Sequence, residues 1–222
     1  MKLTDLIPNI GEVIPYEYGT IRCREYEQLL SSLLAEVKSR QNPHFVQVGG
    51  IPGAGKSTFC RAHCKTDELF ISFDGIMESL PQYRTDIYTL GKAESFAKWE
   101  IPARVIGYEL LRRAVEKKCN IRLEHSGVNI PHVQLMNNIR KYGYHTEMSF
   151  ILCNVEKAHT RAIQREAVTN RHTPYELIEK RASLVKKFLP EYIKITDKLS
   201  IYDTSSDKDV LLKNYAKGYR VS

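Results

Sequence analysis

Apolar residues along this chain follow two alternating spacings. Across residues 25–40, Leu29, Leu30, Leu33, Leu34 and Val37 recur every three or four positions, which predicts an amphipathic helix packed on a core. Asn42-Pro43 stops it, and residues 45–48 then read as a buried strand. The same reading predicts strands over residues 69–73, 121–124, 148–153 and 199–202, the last of them closing the sheet. Between these it predicts helices over residues 57–64, 92–118, 133–141, 156–166 and 174–188. Strands alternating with helices imply an α/β fold, a mainly parallel sheet with helices on both faces. No internal repeat, low-complexity tract or long linker interrupts the pattern. Residues 1–222 are therefore expected to form one domain, with residues 1–43 as a leading helical segment on the core.

Composition adds limits. With 42% hydrophobic and 27% charged residues, 222 residues suffice for one substantial core. No apolar run is long enough to span a bilayer, and Met1-Lys2-Leu3-Thr4-Asp5-Leu6 lacks the apolar stretch of a signal peptide, so a cytoplasmic protein without membrane attachment is expected. Five cysteines, Cys23, Cys60, Cys64, Cys119 and Cys153, form an odd set without C-x-x-C pairs, which argues for reduced thiols and against a zinc site. The net charge of +7 suggests an anionic partner, nucleic acid or a phosphorylated small molecule. The densest basic cluster, Lys180-Arg181 with Lys186-Lys187, is explained as well by a solvated helix face as by a binding patch.

The chemistry concentrates just after the first predicted sheet strand. Gly50-Ile51-Pro52-Gly53-Ala54-Gly55-Lys56-Ser57 fits G-x-x-x-x-G-K-[ST] and lies between a strand and a helix. Gly50, Gly53 and Gly55 allow the backbone N–H groups to face an anion, and Ala54 and Thr58 complete the turn into the helix. Lys56 can reach the β and γ phosphates of ATP, and the Ser57 hydroxyl can ligate Mg²⁺. In a parallel sheet ligands bind at the carboxyl ends of strands, which singles out Asp74, Glu124, Ser126 and Asn154 as well. No N-K-x-D element of a guanine-nucleotide switch is present. A phosphate loop near residue 50, acidic residues after later strands and a late Arg-bearing segment suit a P-loop NTPase of the nucleoside-kinase-like type. Small-molecule and polynucleotide 5′-kinases, and a regulatory ATP-binding module without turnover, all remain open at this point.

Phe73-Asp74-Gly75, Leu123-Glu124-His125-Ser126-Gly127, and Ile163-Gln164-Arg165-Glu166 followed by Asn170-Arg171-His172-Thr173-Pro174 resemble the zeta toxin kinase family from about residue 45 to residue 205. The resemblance implies Asp74 as catalytic base, Lys56 as phosphate-loop lysine, and Arg165 and Arg171 as phosphate-holding arginines. It implies acceptor contacts at Glu109, Glu124 and Ser126. It further implies transfer of the ATP γ phosphate to a hydroxyl of UDP-N-acetylglucosamine, and a small antitoxin protein as partner. His125 departs from the family pattern, standing where members usually carry glycine.

Overall fold

The apolar run beginning at His44 becomes the centre of the molecule. In the computed structural model, which describes residues 1–14, 26–169, 173–206 and 209–221, seven strands form one sheet. They are β1 (His44–Gly50), β2 (Glu68–Ser72), β3 (Asn120–Glu124), β4 (His145–Leu152), β5 (Lys198–Asp203), β6 (Val210–Ala216) and β7 (Tyr219–Arg220). The order is β2-β3-β1-β4-β5-β6-β7, and β1 to β5 pair in parallel. The predicted mainly parallel α/β sheet is therefore present. β1 lies between β3 and β4, so successive crossovers leave it in opposite directions and a crevice opens at its carboxyl end.

Nine α-helices are described: α1 (Leu3–Leu6), α2 (Glu27–Ala35), α3 (Lys56–His63), α4 (Phe73–Ser79), α5 (Pro81–Leu90), α6 (Lys92–Lys117), α7 (Ile130–Ile139), α8 (Val155–Thr169) and α9 (Tyr175–Ile195). Helix α3 lies on the sheet face that carries Val48 and Glu124, while α7 and α9 cover the opposite face, where Gln47 and Phe150 meet His132 and Tyr192. One continuous core runs between these layers, with Phe45, Ile71, Leu110, Leu123 and Phe150 fully buried. The four described cysteines, Cys60, Cys64, Cys119 and Cys153, are free; Cys23 lies outside the described residues. Burial pushes the Cys60 thiol up to about 12, helped by the nearby Glu124 carboxylate, so it packs as a small apolar group.

Several elements differ from the sequence expectation. The leading helix ends at Ala35, not Arg40, because Ser39 bridges to Cys119 and Arg40 N–H donates to the Lys118 carbonyl. The segment after residue 72 is not a strand end with an Asp-Gly turn. Ser72 caps α4 by accepting from Gly75 N–H, which places Asp74 in the first turn of that helix. Pro81, at the first turn of α5, starts a further helix. Nor is β5 the last strand: β6 and β7 extend the sheet antiparallel, joined by Lys217-Gly218, both at positive φ as a two-residue hairpin requires. Helix α9 continues through Pro190 to Ile195.

Candidate active site

The turn from β1 into α3 can be made only with glycines at particular points. At Gly50 φ is +141°, and an added Cβ would lie 2.3 Å from the Ile151 carbonyl oxygen; at Gly53 φ is +78° and a Cβ would lie 2.0 Å from the carbonyl oxygen of Ala158. Both positions combine a backbone region closed to L side chains with direct contact from the backbone of β4 or α8. Gly55 enters α3 at φ 86° and Ala54 is fully buried. The loop is also held from outside, since Thr204 Oγ1 donates to the Ala54 carbonyl at 2.7 Å. Lys56 Nζ donates to the Ile51 carbonyl at 3.0 Å, arching over the loop.

Because β3 lies beside β1, the residue that ends β3 faces the first turn of α3. Ser57 Oγ donates to Glu124 Oε1 at 2.6 Å, and Glu124 Oε2 is buried without a hydrogen-bond partner. A buried carboxylate oxygen left unpaired next to a hydroxyl is a costly arrangement in a protein alone. It suits a hard divalent cation, which takes oxygen ligands of these two kinds. The residues present thus fit Mg²⁺, which Ser57 and Glu124 would hold.

Around this corner lies a cavity of about 510 Å³. Besides Gly50, Gly53, Gly55, Lys56, Ser57 and Thr58, its lining includes Asp74 from α4, Glu100 and Arg104 from α6, and Glu124, His125 and Ser126 after β3. Arg161 and Arg165 come from α8 and Arg181 from α9. With Arg61, six basic side chains face three carboxylates there, Asp74, Glu100 and Glu124. Arg161 and Arg165 stand one turn apart on one face of α8. Arg161 donates to the Thr204 carbonyl at 3.0 Å and Arg165 to Thr173 Oγ1 at 2.8 Å. Arg181 is half-buried and donates to Ser126 Oγ at 3.4 Å, with no carboxylate partner among the described residues. Burial, then the charge of Arg104, destabilises its cationic form.

Of the residues expected at the site, the structure brings Lys56, Ser57, Asp74, Glu124, Ser126 and Arg165 to the lining of this one cavity. Arg171 lies outside the described residues. Glu109 requires a correction: it does not line the cavity but is buried on α6, accepting from Arg112 Nε at 2.8 Å and Arg113 Nε at 2.7 Å. Those arginines continue to Glu116 and Glu27, and Glu116 binds the N-terminal ammonium, so Glu109 anchors α6 to α2 and the chain start. The α6 carboxylate that reaches the cavity is Glu100, paired with Arg104. Glu100, Arg104, Arg161 and Arg181 were not singled out from sequence. The i, i+4 spacing of the Glu100/Arg104 and Arg161/Arg165 pairs was the available signal.

His125 forms part of the cavity wall and is stacked on the fully buried His132, ring centroids 3.5 Å apart and planes within 3°. His132 lies between Tyr108 Oη at 2.8 Å and Gln47 Oε1 at 3.2 Å. Burial lowers both imidazoles, His132 to about 3 and His125 well below its ordinary value. His125 Nδ1 accepts from Gly127 N–H, so its proton is on Nε2. In the unfolded chain both would take up protons near pH 6.5, while the folded state keeps His132 neutral down to about 3. Their contribution is fully present above pH 6.5 and is lost as pH falls towards the folded value. For His132 alone this predicts a loss of about 2 kcal/mol between pH 7 and pH 5. Urea unfolding at the two pH values checks it, and His132→Phe should flatten the slope.

Sheet order, glycine-built phosphate loop and the serine–carboxylate corner define an α/β protein of the P-loop kinase architecture. The chain belongs to the zeta toxin family, whose model matches residues 30–214. Among solved structures it is similar to one from the PezAT chromosomal toxin–antitoxin system of Streptococcus pneumoniae, with 17% identity, 90% of this chain and 83% of that chain covered, and a TM-score of 0.65. It is also similar to AvrRxo1-ORF1:AvrRxo1-ORF2 with sulphate ions, at 13% identity, 96% and 74% coverage and a TM-score of 0.67. The complex of those proteins with ATP matches at 12% identity, 90% and 69% coverage and a TM-score of 0.64. At these identities the likeness is one of fold. No curated protein sequence matches the chain.

Proposed function

We propose that this protein is a Mg²⁺-dependent kinase that moves the γ phosphate of ATP to a hydroxyl of a nucleotide sugar, with UDP-N-acetylglucosamine as acceptor. The observation that carries this reading is the convergence on one cavity of the phosphate loop, the Ser57–Glu124 corner, Asp74 and the α8 arginines. Backbone N–H groups of the loop and Lys56 hold the ATP phosphates, and Mg²⁺ held by Ser57 and Glu124 supplies charge neutralisation there. Asp74 accepts the proton of the acceptor hydroxyl while the acceptor oxygen bonds to the γ phosphorus and the bond to the β-phosphate oxygen breaks, leaving ADP. Arg161, Arg165 and Arg171 stabilise the negative charge on the transferring group.

Acceptor recognition falls to the other end of the cavity. Arg181, cationic and half-buried with no carboxylate partner among the described residues, and Arg104 beside it favour an acceptor that itself carries phosphate. A diphosphate linkage such as that of a nucleotide sugar meets this demand, and a plain hydroxylated compound does not. Two solved relatives belong to two-component assemblies, PezAT and AvrRxo1-ORF1 with ORF2, which supports a small antitoxin protein as partner. No described helix is long and apolar enough to cross a membrane.

Incubation with γ-labelled ATP and a panel of nucleotide sugars, nucleosides, oligonucleotides and unphosphorylated sugars tests the reading. Label on a nucleotide sugar supports it; label on oligonucleotide 5′ ends replaces it with a polynucleotide kinase, and binding of ATP without transfer replaces it with a regulatory module. The structure also changes what is expected of Glu124, which the family resemblance assigns to the acceptor. Because Glu124 is bonded to Ser57, Glu124→Gln should lower both acceptor phosphorylation and the slow acceptor-free hydrolysis of ATP, each by roughly 10²-fold. Arg181→Ala should instead raise the acceptor KM and leave acceptor-free hydrolysis unchanged. Preserved hydrolysis in Glu124→Gln would return that carboxylate to the acceptor pocket.

A further inference from the structure

At the other end of β1, about 20 Å from the phosphate loop at the strand rise per residue, the parallel register places His44 directly opposite His145. Glu147 is two residues further along β4 and so shares their face of the sheet. One donor atom from each of the three side chains lies within 4.8 Å of the other two. The imidazole rings meet edge-on at 5.3 Å. Among the described residues none of these donors makes a hydrogen bond: His44 Nδ1 is 3.9 Å from Glu147 Oε1, and His145 Nδ1 is 3.6 Å from Asp197 Oδ2, both beyond bonding range. The nearest competing cation, Lys198 Nζ, stands 3.7 Å from Glu147 Oε2 and is half-exposed.

We propose that His44, His145 and Glu147 form a binding site for a zinc-type divalent cation that ties the starts of the two central strands together. Two imidazoles and one carboxylate, with water completing the shell, suit zinc and its borderline neighbours and do not suit Mg²⁺, which prefers oxygen ligands. Closing the three donors around an ion requires movement of about an ångström, within the reach of exposed side chains hinged on fixed strands. Asp197 supplies the support such a site needs. Its Oδ2 is fixed by Thr146 N–H at 2.9 Å and Thr146 Oγ1 at 3.0 Å, and Arg140 pairs with its other oxygen. A small approach by His145 Nδ1–H to that oxygen would orient the ring and leave Nε2 for the ion.

The test is calorimetric titration of the chelator-treated 222-residue protein with zinc chloride in a non-coordinating buffer, with the cobalt absorption spectrum as a second readout of coordination. One equivalent should bind and raise the melting temperature. His44→Ala, His145→Ala and Glu147→Gln should each weaken binding at least about tenfold. Their melting temperatures without zinc should match the parent protein, since all three side chains are partly or fully exposed. His63→Ala, which removes the imidazole beside Cys60 and Cys64, should change nothing, and Lys198→Met should tighten binding by releasing Glu147. Absence of saturable one-equivalent binding, or binding untouched in the His44→Ala/His145→Ala double variant, would overturn the site.

Discussion

Lys56→Ala is expected to lower ATP-dependent phosphoryl transfer by roughly 10²- to 10³-fold while the protein stays folded, the scale typical of losing one preorganised group at developing charge. Lys56 Nζ bonds to the Ile51 carbonyl at the rim of the cavity and contributes nothing to the core. Its removal takes away the charge proposed to meet the β and γ phosphates and leaves a loop whose shape is set by Gly50, Gly53 and the Thr204–Ala54 hydrogen bond. The melting temperature should therefore stay within a few degrees of the parent, and the defect should appear in kcat for every acceptor. Near-normal turnover in Lys56→Ala would sink the phosphate-loop reading.

The second large effect is expected at Asp74. Asp74 lies in the first turn of α4, on the cavity wall formed with the phosphate loop, and its carboxylate is the group proposed to take the acceptor proton. Asparagine keeps the shape and cannot take the proton, so Asp74→Asn should lose about 10²- to 10⁴-fold in kcat, the range that general base catalysis contributes. ATP affinity measured by calorimetry should be retained. A variant that loses ATP affinity yet reaches full kcat at saturation would make Asp74 a nucleotide or metal ligand.

How much of this was legible depends on whether a feature is local. The phosphate loop is spelled out by consecutive residues, and β1 to β5 and α6 announce themselves by unbroken apolar periodicity. The corner of Ser57 and Glu124 is different. Each residue was visible, but their bond follows from β3 lying next to β1, a fact of strand order that no local pattern carries. Glu109 shows the converse, since a charged residue near the right place in the chain turned out to serve α6 and its arginines. Arg181 belonged to a basic cluster that could equally have been a solvated face, and only the packing of α9 turned it inwards. β6 escaped notice because Val210, Leu211 and Leu212 are all exposed on an antiparallel edge and so do not alternate. α4 and α5 were hidden by Gly75 and Pro81, which break a helical pattern in sequence even where a capped first turn accommodates them.

The contact between Gly53 and the Ala158 carbonyl gives α8 a pivot. With its first turn seated on the phosphate loop, any tilt of the helix about that contact would displace a residue in proportion to its distance from Ala158. Arg161 lies about 4.5 Å along the axis from that point and Arg165 about 10 Å, at the helical rise per residue. Arg161, tied to Thr204 as well, would be the less displaced of the two and Arg165 the more. On the proposed function, the loop that holds the phosphates would also be the fulcrum of the helix that carries their arginines.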